Sequence, residues 1–322
     1  MSELLIIASG GGHTGFGRAI AEYLPFKPDF VIPENDKNSE EMIKNLARKI
    51  YYVKKGKEPS EGNTQFLKNI FKILSQSSKI EKYKVVIATG SNHSLIPSFI
   101  QYLKRAKIYG IESQDRIVTK GKAIRLISYF SKGIFLHWKE QKKLYPKKGI
   151  VVGPIVEKPK YKAEDGDYIL VTTGSQGFKE LFDRLIKLEL ENVIVQTGKI
   201  DPSIYKDKKP NWKFFSFDPD IEKWIAKAKL IITHQGKTAM EAVVMYKKPT
   251  IIVYNKSWIY AATKEDSRLY AEILGATFLD DPSTWDSDEV LLEAVEKAHK
   301  PKDYEIGTQK LVDLILSDLT RK

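Results

Sequence analysis

The segment Gly10-Gly11-Gly12-His13-Thr14 combines glycines with a titratable side chain directly after a short apolar run. Glycines let a backbone approach a phosphate closely, and the first N–H groups of a following helix are oriented donors for an anion. A histidine here titrates near neutral pH and could act as a base beside a phosphorylated substrate. We therefore predict that Gly11, Gly12 and Thr14 bind the substrate and that His13 is catalytic. A histidine that caps the helix or faces solvent is the alternative.

A second glycine turn, Thr89-Gly90-Ser91-Asn92-His93, follows another apolar run, and Glu112 follows the next one. The carboxyl ends of parallel strands meet at one edge of a sheet, which is where open α/β sheets bind ligands. Gly90, Ser91 and Asn92 are therefore predicted to bind the same substrate, with Glu112 beside them as a second catalytic candidate. A helix-capping role is the alternative for Glu112.

Two turns in the second half of the chain have the features of a nucleotide site. Thr172-Thr173-Gly174-Ser175 is a small polar turn that suits a diphosphate. In the segment 236–241, Thr238 and Glu241 lie one helical turn apart on one face. A hydroxyl near phosphate and a carboxylate near ribose hydroxyls would fit a nucleotide, whereas a capping box between the two residues is the alternative.

Strand and helix patterns alternate along the chain twice over, which predicts two parallel sheets covered by helices. The predicted strands are residues 4–8, 30–32, 85–88, 108–111, 168–171, 193–196, 230–233 and 250–254. The helices predicted in the first half span 39–51, 64–75 and 94–104. The sequence therefore indicates an α/β protein with two Rossmann-like units in tandem, joined by a linker over residues 153–166.

Composition narrows the possible functions. The chain has 322 residues, 42% hydrophobic and 29% charged, which is typical of a folded protein with two domains. It has no cysteine, so disulfide scaffolds, thiolate metal sites and cysteine nucleophiles are excluded. No run approaches 18 apolar residues, and the N-terminus lacks a signal-peptide pattern. We therefore expect neither a membrane-spanning nor a secreted protein.

The net charge of +12 is concentrated in the first half of the chain. Residues 1–160 carry 29 Lys and Arg against 14 Asp and Glu, whereas the remainder is slightly acidic. We expect a region with this positive charge to bind an anionic partner, which could be a nucleic acid, an acidic membrane surface or a phosphorylated substrate. A basic solvated surface with no dedicated partner is the alternative.

Several motifs resemble one family of enzymes. The first half is similar to the membrane-anchoring subunit of the two-subunit UDP-GlcNAc transferase of dolichol-linked N-glycan assembly, in the segments 11–14, 111–118 and 135–146. The second half is similar to its donor-binding subunit and, more distantly, to the bacterial peptidoglycan transferase MurG. The motifs of the second half are Thr172-Thr173-Gly174-Ser175, Gln196-Thr197-Gly198-Lys199, Phe217 to Ile221, Ala228 to Ile232 and Thr238 to Glu241. The order of the halves suggests a single-chain version of that glycosyltransferase.

The resemblance implies a GT-B fold, in which two Rossmann-like domains face each other across a cleft. Residues 1–155 would bind the acceptor and the membrane, and residues 156–322 the nucleotide sugar, with a last helix near 304–320 expected to pack back on the first domain. The implied reaction is inverting transfer of GlcNAc from UDP-GlcNAc to a polyprenyl or dolichyl (di)phosphate-linked sugar, without a metal or other cofactor. The implied nucleotide-sugar site consists of Thr172, Gly174, Ser175, Gln176, Gly198, Phe217, Gly236, Lys237, Thr238 and Glu241.

The anchoring subunit commonly has an N-terminal membrane anchor, and from the sequence we expect none here. Two helical patterns could lie on an anionic membrane instead, and a core-facing position is the alternative for each. The first combines Phe66, Ile70, Phe71 and Leu74 with Lys68, Lys72 and Lys79; the second combines Leu126, Ile127, Tyr129, Phe130 and Ile134 with Arg125 and Lys132. We expect peripheral attachment to the cytoplasmic face of the cell membrane.

Two other classes of function compete with the transferase. Gly10, Gly12 and Gly15 satisfy a dinucleotide-binding pattern, and Glu34 ends the next strand where a ribose-binding acid would lie, as in an NAD(P)-dependent oxidoreductase. That hypothesis leaves the second nucleotide-like half unexplained. A nucleic-acid-binding protein would use the basic first half, but no recognition motif supports it and no nucleic acid is expected.

Position in the predicted fold distinguishes the five histidines as candidates for the base. His299 has no loop signal, His137 is expected in an interior strand, and His234 belongs to the donor half. His13 has the best position, since a helix N-terminus should lower its pKa and favour the neutral, proton-accepting form. Glu112 is kept as the alternative base.

Overall fold

The computed structural model describes residues 2–56, 63–258 and 262–320. The chain divides into two compact units. The first unit comprises the chain up to Lys158 together with the segment from Glu305 onward, and the second spans Pro159–Tyr304. The assignment of an acceptor role to one domain and a donor role to the other stays a prediction.

The first unit contains a seven-stranded sheet in the order β3-β2-β1-β4-β5-β6-β7, and every pair of neighbours is parallel. The strands are β1 (Ser2–Ile7), β2 (Asp29–Pro33), β3 (Lys49–Val53), β4 (Tyr83–Ala88), β5 (Lys107–Ile111), β6 (Gly133–Leu136) and β7 (Gly149–Val151). The helices between them are α1 (Gly12–Tyr23), α2 (Lys37–Ile43), α3 (Asn63–Ser78), α4 (Leu95–Leu103) and α5 (Lys122–Phe130). The central strands are continuous apolar runs with almost no exposed surface, as a sheet covered on both faces requires.

The helix predicted over residues 39–51 is wrong. The structure ends α2 at Ile43 and places Lys49–Val53 in the edge strand β3, paired in register with β2 from Asp29 to Pro33. The segment Ile50-Tyr51-Tyr52-Val53 consists of β-branched and aromatic residues, which fit a pleated and half-buried strand better than a helix.

The second unit repeats the design with six parallel strands in the order β10-β9-β8-β11-β12-β13. They are β8 (Ile169–Thr172), β9 (Val193–Gln196), β10 (Lys213–Phe215), β11 (Leu230–His234), β12 (Thr250–Val253) and β13 (Thr277–Leu279). The helices are α6 (Lys179–Leu185), α7 (Ser203–Lys206), α8 (Glu222–Lys227), α9 (Lys237–Met240), α10 (Lys264–Leu274) and α11 (Glu289–Lys297). The predicted α/β class with two Rossmann-like parallel sheets is confirmed.

Both sheets reverse their strand order at one point, between β1 and β4 in the first unit and between β8 and β11 in the second. At such a switch point the two following loops run to opposite faces of the sheet and leave a crevice at the carboxyl edge. The loops after β1 and β4 are the two glycine turns of the first half. The loops after β8 and β11 are the two turns of the predicted nucleotide site.

Helix α12 (Thr308–Thr320) is the last element and packs on α1 of the first unit. Its Asp318 carboxylate accepts two hydrogen bonds from Lys132 Nζ at 2.7 and 2.6 Å and one from the Tyr109 hydroxyl at 2.6 Å. Asp318 is nearly buried, so these donors compensate the desolvation of its charge and anchor α12 to the sheet.

The two predicted membrane-facing patterns are only partly exposed. In α5, Leu126 and Tyr129 are exposed, but Ile127 is fully buried, as is Ile134 in β6, so the prediction is wrong for these two isoleucines because they pack in the core. In α3, Phe71 is 81% exposed. The side chains of Phe66 and Lys68 lie outside the described part of the chain. Within the described ranges, no helix has the length and apolar character that crossing a bilayer requires.

Candidate active site

The loop between β1 and α1 presents its glycines to solvent and buries its threonine. Gly10 and Gly11 have φ angles of 92° and 52°, a left-handed conformation that favours glycine, and Gly11 and Gly12 are exposed. The Thr14 hydroxyl is fully buried, accepts a hydrogen bond from Gly10 N at 3.0 Å and lies 2.8 Å from the Ser39 hydroxyl. Thr14 therefore shapes the loop from within, and substrate contact by Thr14, Gly11 and Gly12 stays a prediction.

The His13 ring is oriented by a single strong contact. Its Nδ1 lies 2.6 Å from the carbonyl oxygen of Thr89, and a carbonyl can only accept, so Nδ1 carries the proton. Nε2 is then unprotonated and makes no hydrogen bond to a described residue. Burial lowers the pKa of His13, while the Thr89 carbonyl and the charge of Asp115 raise it and Lys55 lowers it further. The neutral form that can accept a proton is therefore favoured at neutral pH.

The second glycine turn is shaped to accommodate this ring. Gly90 has φ of 114°, and a Cβ built on it would lie 2.6 Å from His13 Cε1 and 2.8 Å from His13 Nδ1. Only a glycine therefore lets the ring reach the Thr89 carbonyl. Ser91 follows with φ of 64°, which is costly for a residue with a side chain and is concentrated at functional sites in proteins. Asn92 is half-buried at the start of a short 3₁₀ turn.

Glu112 lies at the end of β5 with 1% of its surface exposed. Its carboxylate accepts hydrogen bonds from Ser113 N at 2.8 Å, Gly121 N at 3.0 Å and the Tyr145 hydroxyl at 2.5 Å. Burial raises the pKa of Glu112 to about 7, although the three hydrogen bonds oppose this shift. The structure thus places Glu112 inside the protein as the anchor of the loop that runs from Ser113 to Gly121.

The other histidines of the first unit use both ring nitrogens inside the protein. His93 Nε2 lies 3.0 Å from Val53 O and its Nδ1 lies 3.4 Å from the Ser9 hydroxyl, while burial lowers its pKa to about 4. His137 Nε2 lies 3.1 Å from Glu112 O, and its Nδ1 accepts from Ile155 N at 3.1 Å. Neither ring has a nitrogen left for a substrate, which leaves His13 as the base candidate of this unit.

Glu34, the acid required by the dinucleotide hypothesis, is engaged by α3. Lys72 Nζ donates to one carboxylate oxygen at 2.9 Å and Gln76 Nε2 donates to the other at 2.5 Å. These contacts lower the pKa of Glu34 against the effect of its partial burial. The carboxylate therefore tethers α3 to the end of β2 rather than facing the glycine loop as a free ribose ligand.

In the second unit, three glycines with positive φ shape the turn after β8, two within it and Gly198 after the neighbouring strand β9. Gly174, Gly177 and Gly198 have φ of 72°, 80° and 65°. A Cβ on Gly198 would lie 2.6 Å from Gly177 N and 2.8 Å from Gly174 O, so Gly198 supports the turn by close packing. Ser175 and Gln176 are exposed at the tip of the turn.

Two other predicted nucleotide contacts of the second unit differ in exposure. Thr172 is buried, and its hydroxyl accepts from Gln196 Nε2 at 3.0 Å. Phe217, beyond β10, is 49% exposed. A nucleotide-binding role for both stays a prediction, as it does for the glycine turn.

The turn after β11 brings Lys237 and Glu241 together. Lys237 Nζ donates to Glu241 Oε1 across one helical turn, and a π-helical turn over Glu241–Met245 continues α9. Insertions of this kind are frequent at functional sites. Gly236 and Thr238 are half-buried at the start of α9. The capping box between Thr238 and Glu241, which was the alternative to a nucleotide site, is not formed, because the capping residue of α9 is Gly236, which has no side chain that could accept.

Sequence reasoning missed three buried polar atoms at the switch point of the second unit. Thr173 Oγ1, Thr233 Oγ1 and His234 Nδ1 have no hydrogen-bond partner among the described residues. His234 is only 7% exposed, and burial lowers its pKa to about 4. The centroid of its ring lies 4.8 Å from that of the Trp258 ring. Unsatisfied buried groups are rare in proteins, so their concentration at this edge marks a place for a polar ligand. Their position at the carboxyl ends of two parallel strands was the available signal.

Within the described residues, no group of three or more His, Cys, Asp or Glu side chains is placed to hold a metal ion. The groups present at the two switch points include a neutral imidazole, backbone N–H groups, hydroxyls and the Lys237–Glu241 pair.

Comparison with known proteins places the chain among glycosyltransferases. Residues 168–274 match the glycosyltransferase family 28 C-terminal domain. In an alignment 357 positions long, the chain is 26% identical to a protein of Sulfurihydrogenibium sp.. That protein is named UDP-N-acetylglucosamine–N-acetylmuramyl-(pentapeptide) pyrophosphoryl-undecaprenol N-acetylglucosamine transferase, and the alignment covers 99% of each chain.

Two solved structures show how far the fold extends. MurG of Acinetobacter baumannii has a TM-score of 0.65 at 18% identity, covering 98% of this chain and all of that one. A UDP-GlcNAc 2-epimerase of Neisseria meningitidis bound to UDP-GlcNAc has a TM-score of 0.62 at 13% identity, covering 99% and 100%. At these identities the likeness concerns the fold, and it confirms the GT-B prediction.

The prediction of a fusion of the two dolichol-pathway subunits is not confirmed, whereas its MurG-like part is supported. The chain is therefore a glycosyltransferase of the GT-B fold, and its residues 168–274 are similar to the C-terminal domain of family 28, to which the resemblance with MurG also points.

Proposed function

We propose that the chain transfers N-acetylglucosamine from UDP-GlcNAc to a sugar carried on a polyprenyl diphosphate, with inversion at the anomeric carbon. The observation that carries this proposal is the His13 ring, fixed by Thr89 with an unprotonated Nε2 beside the exposed glycines of α1. Backbone N–H groups at a helix start suit the diphosphate of such an acceptor. An oriented neutral imidazole next to them suits an acceptor hydroxyl.

In the proposed reaction, His13 Nε2 takes the proton of the acceptor hydroxyl as its oxygen forms a bond to the anomeric carbon of the donor. The bond between that carbon and the β-phosphate oxygen breaks, and UDP leaves with the electron pair. Glu112 has all its strong contacts inside the protein, which favours His13 over Glu112 as the base. Glu112 then acts as a positioning residue for the loop from Ser113 to Gly121.

The second unit would hold the donor. The turn after β8, with Gly174 and Ser175, suits the diphosphate, and the unsatisfied Thr173, Thr233 and His234 atoms provide further polar contacts. We assign the Glu241 carboxylate, which Lys237 contacts at Oε1, to the ribose hydroxyls because it lies one helical turn into α9 after the carboxyl end of β11. Lys237 would hold this carboxylate in place and reduce the charge repulsion with the diphosphate.

The acceptor is proposed at the level of its class. The Sulfurihydrogenibium relative is named for an N-acetylmuramyl-pentapeptide acceptor on pyrophosphoryl-undecaprenol, which supports a lipid diphosphate carrier. The dolichol and N-glycan parts of the sequence-based prediction find no support in the comparisons. Pyrophosphoryl-undecaprenol N-acetylmuramyl-pentapeptide is therefore the first acceptor to test, and polyprenyl diphosphate N-acetylglucosamine is the second.

The decisive experiment incubates the protein with radiolabelled UDP-GlcNAc and each acceptor in turn, with UDP-glucose as the competing donor. We expect the label to enter the organic phase with one acceptor and UDP-GlcNAc, and the new linkage to be β, because inversion of the α-linked donor gives that anomer. Label that remains water-soluble with both acceptors would contradict the proposal. Transfer from UDP-glucose alone would contradict the donor assignment.

Substitution of Glu241 should weaken donor binding. Glu241→Ala removes the hydrogen bonds to ribose, which at about 1.5–3 kcal/mol corresponds to a loss of about 10- to 150-fold in UDP affinity. Calorimetry with UDP measures this directly. Glu296→Ala, an exposed carboxylate of α11, is the control and should bind UDP normally. Unchanged affinity in Glu241→Ala would remove Glu241 from the site.

We also infer that the first unit attaches to anionic membranes through the outer face of α3, α4 and α5. Large apolar side chains on these helices are strongly exposed, among them Phe71 at 81%, Tyr129 at 73% and Leu103 at 61%. Exposed basic residues, including Arg105 and Arg125, lie on the same helices or directly after them. Apolar insertion together with attraction to anionic lipids gives peripheral binding, and this would place the enzyme at the cytoplasmic membrane face where lipid-linked acceptors occur.

Vesicle flotation tests this attachment. We expect the protein to float with vesicles that contain phosphatidylglycerol, less so at high salt, and poorly with phosphatidylcholine alone. Phe71→Ser with Tyr129→Ser should reduce binding, whereas Ile204→Ser, an exposed apolar residue of the second unit, should not. Equal binding to neutral and anionic vesicles, or none to either, would contradict the inference.

A further inference from the structure

The loop after β5 holds a carboxylate that none of the roles above uses. Asp115 is 6% exposed, and its Oδ1 is buried without a hydrogen-bond partner among the described residues. A buried carboxylate oxygen left without a donor is expensive, and folded proteins retain such a group mainly where a ligand supplies the missing donor. Asp115 lies on the same carboxyl edge of the sheet as His13, and its charge acts on the His13 ring.

The backbone around Asp115 is fixed on both sides by the segment that follows β6. Gln141 Nε2 donates to Ser113 O at 2.8 Å and to Arg116 O at 3.0 Å, and Trp138 Nε1 donates to Gln114 O at 2.8 Å. These three bonds leave little freedom to the residue between them. The unpartnered oxygen of Asp115 is therefore held in place before any ligand binds, as a recognition group should be.

We propose that Asp115 is a specificity-determining residue for the acceptor, accepting a hydrogen bond through Oδ1 from a sugar hydroxyl next to the one that His13 deprotonates. A carboxylate can only accept here, so it recognises a hydroxyl donor and repels a phosphate. The acceptor's diphosphate must then lie away from Asp115, toward the glycines of α1. This inference rests on the proposed transferase function and assigns the acceptor's sugar to a named side chain.

The same charge has a second effect on the reaction. When His13 takes the acceptor proton it becomes an imidazolium, and the nearby Asp115 carboxylate stabilises that cation, whereas Lys55 opposes it. No proton passes to Asp115 in this scheme. Neutralising Asp115 should therefore lower the pKa of His13, and the acid limb of kcat/KM should move to lower pH.

The test compares Asp115→Ala, Asp115→Asn and the control Asp286→Asn, an exposed carboxylate of the second unit. The probes are N-acetylmuramyl-pentapeptide and N-acetylglucosamine, each α-linked to citronellyl diphosphate, and the 3-deoxy and 6-deoxy analogues of the N-acetylglucosamine probe. We expect Asp115→Ala to raise the acceptor KM and the acceptor Kd without donor at least 10-fold, while the donor KM and the melting temperature stay within error. Asp115→Asn should recover most of the affinity yet shift the acid limb.

The deoxy analogues identify the hydroxyl. One analogue should bind the wild type as weakly as the full sugar binds Asp115→Ala. The affinity of that analogue should not fall further in Asp115→Ala, because the substitution and the missing hydroxyl remove the same interaction. Wild-type affinity and an unshifted acid limb in both variants would overturn the role of Asp115. Acceptor binding that depends on Asp115 without any transfer from UDP-GlcNAc would instead contradict the proposed function and leave Asp115 as a sugar-binding residue.

Discussion

Replacing His13 with alanine should reduce turnover by about 10²–10⁴-fold while UDP binding stays intact, because only the proton acceptor is lost. In the wild type the pKa of His13 is lowered by burial from its ordinary value of 6.5, so kcat/KM should be constant near pH 7 and fall only below about 6.5. That acid limb should be absent from the residual activity of His13→Ala. Steady-state kinetics from pH 5 to 8, together with UDP calorimetry at pH 7, provide both measurements.

The matched control is His299→Ala, because His299 is exposed in the second unit and has no role in the proposed reaction. Its turnover should equal that of the wild type. A His13→Ala enzyme within a few-fold of the wild type would refute the assignment. Glu112→Ala, measured beside it, should also lose stability because Ser113 N, Gly121 N and the Tyr145 hydroxyl lose their acceptor.

Replacing Gly90 with alanine should reduce turnover by about 10²-fold with the catalytic residues untouched. The new methyl group would lie 2.6 Å from His13 Cε1, so the ring must move away from the Thr89 carbonyl and loses the contact that fixes its tautomer. A displacement of about 1 Å of a catalytic group commonly has this effect. Kinetics with saturating donor and acceptor should show the loss in kcat.

Gly275→Ala is the control for Gly90→Ala because it separates strain from displacement. Gly275 ends α10 with φ of 63°, and a Cβ there meets nothing within 4 Å. Both variants therefore introduce a side chain at positive φ, which costs about 1–2 kcal/mol of stability. Only Gly90→Ala should lose activity. Full activity in Gly90→Ala would mean that the observed ring position is not required for the reaction.

The alternation of apolar runs and helical patterns is sufficient to predict both sheets, because buried parallel strands are continuous hydrophobic stretches. The edges of the sheets were less accessible to such reasoning. β3 and β10 each have one partner strand and a partly exposed pattern, so they lack the continuous apolar run that marks the buried central strands. Pairing with β2 decides the conformation of β3, and that pairing is a long-range contact that no local window contains.

In the candidate site, too, local sequence predicts some features, whereas others depend on long-range contacts. His13, Gly90 and Glu112 could be identified from the sequence because each follows a strand end. The tautomer of His13 and the burial of Glu112 could not, since they depend on Thr89 and Tyr145, which lie 76 and 33 residues away along the chain. The role of Asp115 could not be predicted from the sequence, because it rests on a buried Oδ1 that has no hydrogen-bond partner among the described residues.

Helix α12 has a consequence for the order in which the protein becomes stable during synthesis. All seven strands of the first unit have been synthesised by residue 151, yet the patch on α1 that α12 covers stays open until the segment 308–320 has been made. The second unit is one continuous stretch, 159–304, and has all its residues earlier. Domains usually acquire their structure from the N-terminus onward as the chain emerges. Here we expect the opposite: a truncated chain released after residue 304 should already protect the second unit from protease while the first is still cleaved.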